Sequence, residues 1–473
     1  MRRPSPDALL LFILLVARVR IDTLAEWAAI PTSMLQTDVA RLVGSWWPAE
    51  SLRLLADRQT SNPVSLVLIS LAFGLFVVYL VLDMLAARPT ASVVHRFKLG
   101  LIGAIIAVLV GGPTLLYIGL RHISGPAAYT HDGGVIQTEI TIQYLLSGVN
   151  PYVADYLDTP MAAWGTEYRT ALYHYPYLPW TFLFSAPFYL LSRLVLGWYD
   201  QRFVYLALFG ITLVLACRLA RRPRHQLAAL SILGLTPIMA SDVIFGQNDA
   251  FVLFWIVLGV WLLQRAEARG NGVGAAMVVL GLACASKPTA WFLLPFLAYY
   301  LLRDLPGTSA NAFGWLSGVP RSLAQLARRS WPLLLACIVV IGPWLVWDPW
   351  AMFDDIWRWS AGTAVTPYQI RGWGLSNFVL ALGLVADRLT YWPFWVLEVL
   401  VAAPLLVLLI RRQAGHNDLN SMLYAYVVLL FAFLYVSRFL NENYLGYLLS
   451  LLTLAACLES GYKLADHAAG SGR

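Results

Sequence analysis

Long apolar runs, separated by short polar or basic intervals, occupy most of the 473-residue chain. The clearest lie at 64–86 and 99–120, and each is long enough to cross the roughly 30 Å hydrocarbon core of a bilayer as a helix. Further runs lie at about 178–196, 201–217, 226–245, 249–264, 273–286, 289–302, 332–347, 376–386, 392–410, 421–437 and 444–458. The pattern predicts an all-α polytopic membrane protein with about 10–12 transmembrane helices.

Three segments do not fit a simple crossing. The run 178–196 is preceded by Pro179 and contains Pro187, which predicts a re-entrant or interfacial segment. The run 376–386 is too short to cross alone. At the N-terminus, residues 8–17 predict either a short tilted span or an interfacial helix, and residues 22–62 mix charges with tryptophans as in a surface-lying amphipathic segment.

A long polar interval, 131–177, lies between the apolar runs 99–120 and 178–196. It opens with HDGGVIQTEITIQYLLSGVNPY. Asp132 is followed by two glycines, which allow the backbone to approach a ligand closely. Its carboxylate can act as a general base on a sugar hydroxyl or hold a divalent cation, and the alternative is a solvated loop aspartate. Glu139, about two helical turns further on, is a second candidate.

Later polar corners interrupt the apolar runs. Lys287 lies inside ACASKPTAWFLLP, where a lone ammonium needs an anion such as a lipid phosphate, or else snorkels to the surface. Arg371 and Arg438 lie near the ends of runs, where arginine can grip a phosphate bidentately. Asp354 and Asp355, in WDPWAMFDDIWRW, suit a solvated helix face beside tryptophan anchors, and a metal site is the less favoured alternative.

Composition excludes a soluble enzyme, because 59% of residues are hydrophobic and only 12% are charged, against about 25% in soluble domains. The net charge of +7 comes largely from arginine clusters beside apolar runs, which is the positive-inside pattern and not a nucleic-acid surface. This pattern predicts that residues 121–177, GQND (246–249), Lys287, 348–375 and NENY (441–444) lie outside the cytoplasm. The sequence contains no phosphate-binding loop, dinucleotide fingerprint or nucleophile elbow.

The order of these motifs resembles the GT-C superfamily of polytopic glycosyltransferases, and most closely the mannosyltransferase-like family 87 of bacterial membrane proteins. The resemblance rests on an outer-loop acid followed by GVNPY, YPYLP, GQND, SKP and ENY, and it covers roughly 99–460. It implies a catalytic bundle whose large first extracytoplasmic loop, 121–177, carries short interfacial helices. Residues 1–98 are then an N-terminal extension with at least one transmembrane helix, and 461–473 a cytoplasmic tail.

The resemblance also implies a reaction. An inverting enzyme in the cytoplasmic membrane would move a sugar, often mannose, from a polyprenyl-phosphate-linked donor to an extracytoplasmic or lipid-linked acceptor. Asp132 would be the base, with Glu139 in competition, and Lys287, Arg371 and Arg438 would face the donor phosphate. The expected sugar and acceptor pocket consists of polar and aromatic residues, namely His131, Tyr152, His174, Tyr175, Gln247, Asn248, Asp249, Glu442 and Asn443. A divalent cation stays possible as a cofactor.

Two other functions stay open. A secondary transporter or lipid flippase would place its ionisable residues near the bilayer midplane, in paired repeats with interrupted helices. Here the acids cluster in one loop, and no inverted repeat is evident. A non-catalytic scaffold is the third possibility.

Overall fold

A computed structural model describes residues 5–29, 32–55, 62–85, 91–164, 169–303 and 319–458; the side chains of 19–36, 49, 53, 91 and 132 lie outside that description. The described chain is almost entirely helical, which confirms the predicted class. Its first α-helices are α1 Pro6–Ala29, α2 Thr32–Val43, α3 Ala49–Leu55, α4 Pro63–Leu85, α5 Ala91–Ile106, α6 Gly112–Ser124, α7 Gln137–Leu146, α8 Trp180–Leu196, α9 Arg202–Leu219, α10 Pro223–Leu235 and α11 Pro237–Phe245. The others are α12 Asp249–Arg269, α13 Gly274–Cys284, α14 Leu294–Leu301, α15 Val319–Trp347, α16 Pro349–Phe353, α17 Trp359–Ala361, α18 Ser376–Ala381, α19 Phe394–Gly415, α20 Leu419–Val436 and α21 Glu442–Cys457.

Seven helical segments in the described residues are long and apolar enough to cross a membrane, or eight if α10 and α11, bent by 50° at Thr236, form one broken span. The seven are Pro63–Leu85, Ser92–Ser124, Arg202–Leu219, Asp249–Arg269, Val319–Trp347, Phe394–Gly415 and Leu419–Val436. The protein is therefore a multi-pass membrane protein. Shorter apolar helices would have to be added to reach the predicted ten to twelve.

Helix α12 forms the centre of the bundle, because 72% of the residues in its 18-residue apolar stretch are buried. The corresponding shares are 11% for α19 and 17% for α4. The outer helices α4 and α19 present their apolar side chains at the protein surface, as lipid-facing helices do. The buried α12 begins at Asp249, so the GQND motif stands at one end of the most enclosed helix.

Helix α8 forms within the run 178–196, whose re-entrant or interfacial course stays a prediction. It has 17 residues and contains Pro187. Its first amide, on Trp180, donates to the carbonyl of Ala285 at 3.0 Å. Trp198, just after its end, stacks on His122 at 4.3 Å between ring centroids. The start of α8 thus contacts the segment after α13, and Trp198, just after its end, contacts α6.

The N-terminal segment is attached by polar contacts. Residues 8–17 are part of the 24-residue helix α1, longer than the apolar run alone indicates. Lys98 on α5 pairs with Asp7 of α1 at 2.8 Å and also with Asp83 of α4. In the middle of α2, Asp38 accepts hydrogen bonds from Ser124 at 2.7 Å and Tyr129 at 2.6 Å. The extension is therefore bound to the start of the long polar loop.

A two-residue strand pair joins the segment after α17 to the segment before α21. Strand β1, Arg371–Gly372, pairs in parallel with β2, Phe439–Leu440, directly before α21. The predicted short run 376–386 forms only the six-residue helix Ser376–Ala381 and does not span.

Candidate functional site

The turn that begins at Asp132 and the GQND motif at 246–249 are in backbone contact. Asp132 begins a π-helical turn that ends at Ile136, and Gly246 of GQND ends α11 with a φ of +87°. A Cβ atom on Gly134 would lie 1.9 Å from the carbonyl oxygen of Gly246. The glycines after Asp132 were expected to admit a ligand; at Gly134 that expectation is wrong, because the space is filled by the GQND backbone.

Further contacts hold the Asp132 turn in place. The His131 amide donates to the Phe245 carbonyl at 2.8 Å, and the Tyr205 hydroxyl donates to the Gly134 carbonyl at 2.5 Å. On the other side, the Tyr177 hydroxyl lies 2.7 Å from where a Gly133 Cβ would be. The backbone of this turn is therefore fixed between the GQND corner and Tyr177.

Lys287 lies next to the same corner. Its ammonium is 2.8 Å from Asp249 Oδ1 and 3.2 Å from Asn248 Oδ1, and its side chain is 7% exposed. The ammonium lies 5.7 Å from the ring centre of Tyr177 and 4.9 Å from that of Tyr444. The buried cation therefore has a carboxylate and two aromatic rings as partners. The anion it needs is supplied by Asp249.

A break in the apolar run brings Lys287 to this position. Helix α13 ends at Cys284, and a 3₁₀ turn begins at Pro288. The carbonyls of Ala285 and Ser286, which lose their helical partners, accept from the amides of Trp180 and Leu178 at 3.0 and 3.1 Å. Leu178 of the YPYLP motif and the next residue but one, Trp180, thus supply hydrogen-bond donors to the carbonyls at the break.

The corner reaches the protein surface on its α21 side. Asn443 donates to the second oxygen of Asp249, Gln247 is half-buried and Glu442 is exposed. Arg371 is also exposed, and its backbone pairs with Phe439, just before α21. Lys287, Asn248, Asp249, Asn443 and the Asp132 backbone are therefore neighbours, whereas Arg371 stands at the rim.

Glu139 lies in a different environment. Its two oxygens accept from Arg121 at 2.9 and 2.8 Å, and one also accepts from the Gln201 amide at 2.8 Å. Burial raises the pKa of Glu139, and the charge of Arg121 opposes that rise. Both lone-pair faces of this carboxylate are occupied by donors, so Glu139 has the contacts of a structural ion-pair member.

Asp200 and Arg202 complete that network, which the sequence alone did not indicate. Arg202 contacts both Asp200 oxygens, at 2.9 and 2.7 Å, and Arg121 donates to Asp200 at 2.9 Å. Burial opposes ionisation, but the charges of Arg202 and Arg121 hold the pKa of Asp200 well below its usual range. The available signal was the charged YDQR interval between two apolar runs.

His174 also has a buried acidic partner. Its Nδ1 lies 2.8 Å from Asp355 Oδ1 and its Nε2 lies 2.7 Å from Thr366 Oγ1. Asp355 is only 3% exposed, so the prediction of a solvated acidic face is wrong for this residue. Burial raises the pKa of Asp355 to about 6, although His174 and the Tyr175 amide oppose the rise.

Two of the predicted pocket tyrosines are packed inside the protein. Tyr152 is 4% exposed and donates to the Tyr177 carbonyl at 2.8 Å, and Tyr175 is fully buried against Phe182. These rings support Tyr177 from behind. His131 is half-buried beside Trp164, with 5.3 Å between ring centroids.

Arg438 is 1% exposed and its guanidinium faces backbone carbonyls. It donates to the carbonyls of Tyr368, Arg388, Leu389 and Thr390 at 2.6–3.1 Å. Burial lowers the pKa of Arg438 to about 10, against the opposing charge of Asp387. These contacts hold the 388–390 segment and the backbone at Tyr368 in place.

Residues 143–303, about a third of the chain, match the family model described as alpha-(1->6)-mannopyranosyltransferase, N-terminal domain. The match includes the GVNPY, YPYLP, GQND and SKP motifs, and it confirms the resemblance to polytopic mannosyltransferases that their order indicates. No curated protein and no solved structure matches the chain.

Proposed function

We propose that this multi-pass membrane protein, whose residues 143–303 belong to the alpha-(1->6)-mannopyranosyltransferase family, uses a polyprenyl-phosphate-linked mannose as donor. The acceptor is a hydroxyl of an extracytoplasmic glycan or glycolipid. The membrane is the cytoplasmic membrane, and the site faces away from the cytoplasm. The inverting reaction uses Asp132 as general base.

One observation carries the proposal. The turn that begins at Asp132 is packed, backbone to backbone, against the corner at Gly246 that also holds Lys287 and Asp249. The backbone turn that begins at Asp132 and the corner that holds Lys287, from segments more than a hundred residues apart, are thus in contact. This is the juxtaposition that base-assisted attack on a phosphate-activated sugar requires.

Each group has a defined role in the proposed reaction. The Asp132 carboxylate accepts the proton of the acceptor hydroxyl while the oxygen of that hydroxyl attacks the anomeric carbon. The bond from that carbon to the phosphate oxygen breaks on the opposite face, and the polyprenyl phosphate leaves with the electron pair. General-base help of this kind contributes about 10²–10⁴-fold.

The three predicted cations divide into separate roles. Lys287 stabilises the negative charge that develops on the leaving phosphate, because its ammonium is held rigidly in a buried pocket where electrostatic effects are strong. Arg371, exposed at the rim, binds the donor phosphate as it arrives. Arg438 is a positioning residue, since its donors hold the 388–390 segment.

The sugar and acceptor are bound by the polar groups around the corner. Gln247 and Glu442 reach the surface, and Asn248 and Asn443 lie behind them beside Asp249. Amide and carboxylate groups of this kind recognise sugar hydroxyls. His131 borders the same turn, while His174 lies further along the loop.

The decisive experiment is transfer by purified full-length protein in detergent, with radiolabelled polyprenyl-phosphate-mannose and an extracted membrane acceptor. We expect Asp132→Asn to lower the transfer rate by about 10²–10⁴-fold, because an amide cannot accept the proton. Asp158→Asn is the matched control, since Asp158 is an exposed acid of the same loop. Its rate should equal that of the unmodified protein.

Two outcomes count against the proposal. Transfer at the unmodified rate by Asp132→Asn removes Asp132 as the base. Uptake or flipping of the polyprenyl-linked sugar in proteoliposomes, with no glycosyl product, replaces the enzyme with a transporter.

A further inference from the structure

A second polar cluster, distinct from the Asp132–Lys287 corner, joins the end of the polar loop to the tryptophan-rich segment after α15. Its members are His174, Asp354 and Asp355, and one nitrogen or oxygen atom from each lies within 4.8 Å of the others. His174 and Asp355 are 5% and 3% exposed, and the Asp354 side chain is 24% exposed. The cluster is therefore enclosed except on the Asp354 side.

The spacing of the donor atoms fits one small cation. The imidazole Nδ1 lies 2.8 Å from Asp355 Oδ1 and 3.7 Å from Asp354 Oδ2. Ligand atoms bonded to a common zinc ion at about 2.0–2.2 Å lie roughly 3.3–3.6 Å apart in tetrahedral geometry. The two measured separations fall on either side of this range, and all three donor atoms lie within 4.8 Å of one another.

Every one of the three side chains is oriented by a partner behind it. His174 Nε2 bonds to Thr366 Oγ1 at 2.7 Å, the second oxygen of Asp355 accepts from the Tyr175 amide at 2.8 Å, and the second oxygen of Asp354 pairs with Arg358. Metal ligands in proteins characteristically have such outer partners, which fix ring orientation and aim one donor atom inward. The pattern is independent of the donor spacing.

The charges of His174, Asp354 and Asp355 also favour a bound cation. Two carboxylate oxygens face a single imidazole nitrogen, which can donate a proton to only one of them. Among the described residues, Asp354 Oδ2 receives no hydrogen bond of normal length, and its contact with Nδ1 is 3.7 Å. When Nε2 carries the proton and donates to Thr366, Nδ1 presents a lone pair beside two anionic oxygens. A cation at their centre removes this repulsion.

The two adjacent acids stand at the start of a π-helical turn. Neighbouring residues of an α-helix do not face the same way. Here residues Asp354–Arg358 form a π-helical turn between α16 and α17. Such turns are found frequently at functional sites.

We propose that His174, Asp354 and Asp355 bind one divalent transition-metal ion, Zn²⁺ or Mn²⁺, in a site that ties the polar loop to the π-helical turn. One imidazole and two carboxylates suit these metals, whereas Ca²⁺ and Mg²⁺ prefer oxygen ligands alone. Three protein ligands leave a further coordination position for water or a substrate oxygen on the side of Asp354.

Metal binding to the full-length protein in detergent tests the proposal without measuring sugar transfer. Protein stripped with a chelator is titrated with Zn²⁺ by calorimetry and with Mn²⁺ by electron paramagnetic resonance. We expect one ion of either metal per chain and at least about ten-fold weaker binding by Asp354→Asn. Asp387→Asn, which alters an exposed acid elsewhere, should bind as the unmodified protein does.

His174→Cys separates a metal site from a hydrogen-bonded pair. A thiolate is a strong zinc ligand and a poor manganese ligand, so this variant should keep Zn²⁺ and lose Mn²⁺. Asp354→Asn remains informative if a histidine variant fails to fold, because Asp354 is the least buried of the three. Binding that is absent from the unmodified protein, or equal in Asp354→Asn, overturns the site and leaves a histidine–aspartate hydrogen bond.

Discussion

Two of the buried charged clusters in the described part of the chain differ in how completely their groups are hydrogen-bonded. In the first, Arg121 and Arg202 balance Glu139 and Asp200, and the donors of both arginines reach carboxylates or backbone carbonyls. In the second, Lys287 pairs with Asp249, but the neighbouring Gln247 and Glu442 extend to the surface.

The difference separates a structural role from a chemical one. A closed and balanced network ties α6, α7 and α9 together but leaves no group free to receive a substrate. A corner with one buried cation and several partly exposed polar groups is stable and can still exchange a partner with a ligand. Charge and burial alone do not distinguish the clusters, whereas the completeness of their hydrogen bonding does.

The largest expected effect lies in the closed network. Arg121→Met leaves Glu139 and Asp200 buried with less compensation, and breaking such an ion pair costs about 3–5 kcal/mol. We expect poor recovery of folded protein and a strongly lowered thermal midpoint, measured by tryptophan fluorescence in detergent. Arg193→Met, at an exposed arginine, is the control and should unfold as the unmodified protein does. Equal stability of the two variants contradicts the structural role.

The next effect concerns the contact between the two motifs. Gly134→Ala inserts a Cβ atom 1.9 Å from the Gly246 carbonyl, so the Asp132 turn must move away from the Lys287 corner. A displacement of about 1 Å can cost 10²-fold in rate, and we expect transfer to fall by that order. Gly210→Ala, where a Cβ meets nothing within 4 Å, is the matched control. Unchanged transfer by Gly134→Ala separates the turn from the corner.

A paired substitution distinguishes folding from chemistry at Lys287. Lys287→Met alone leaves Asp249 buried without its cation and should destabilise the protein. Lys287→Met combined with Asp249→Asn removes both charges, so we expect recovery of the thermal midpoint. Transfer should stay about 10²-fold low, because the phosphate loses its positive partner. Recovery of transfer in the double variant makes Lys287 purely structural.

The smallest effect is expected at the rim. Arg371 is exposed, and a solvent-exposed ion pair contributes only about 0–1 kcal/mol. Arg371→Met should therefore raise the KM for the polyprenyl-phosphate donor by roughly five-fold or less and leave kcat and the thermal midpoint unchanged. Steady-state kinetics with varied donor concentration measures this, and Arg193→Met again serves as control. A fall in kcat with unchanged KM would place Arg371 at the reacting phosphate instead.

The helical class and the multi-pass character follow from the sequence, because hydropathy is a local property of each run. The re-entrant or interfacial course of 178–196, which Pro179 and Pro187 indicate, stays a prediction. The partners of the polar residues could not be predicted in this way. The sequence predicts that Lys287 needs an anion. The residues next to Lys287 in the chain do not show whether that anion is Asp249 or the phosphate of a bound ligand.

Long-range contacts account for the rest of what the sequence did not give. The meeting of Gly134 with Gly246, and of His174 with Asp355, joins residues more than a hundred positions apart. Arg121, Asp200 and Arg202 were overlooked because charges at the ends of apolar runs usually face water or headgroups. Their burial becomes visible only when α6, α7 and α9 are packed together.

The break between α13 and the turn at Pro288 has a consequence for the order of assembly. Its unpaired carbonyls, on Ala285 and Ser286, are satisfied by amides of Trp180 and Leu178, which precede it in the chain. Lipid offers no substitute donors, so the break is stable only once the earlier segment is in position. Because the segment of Leu178 and Trp180 is synthesised first, its amides are available when the break forms and Lys287 reaches its corner.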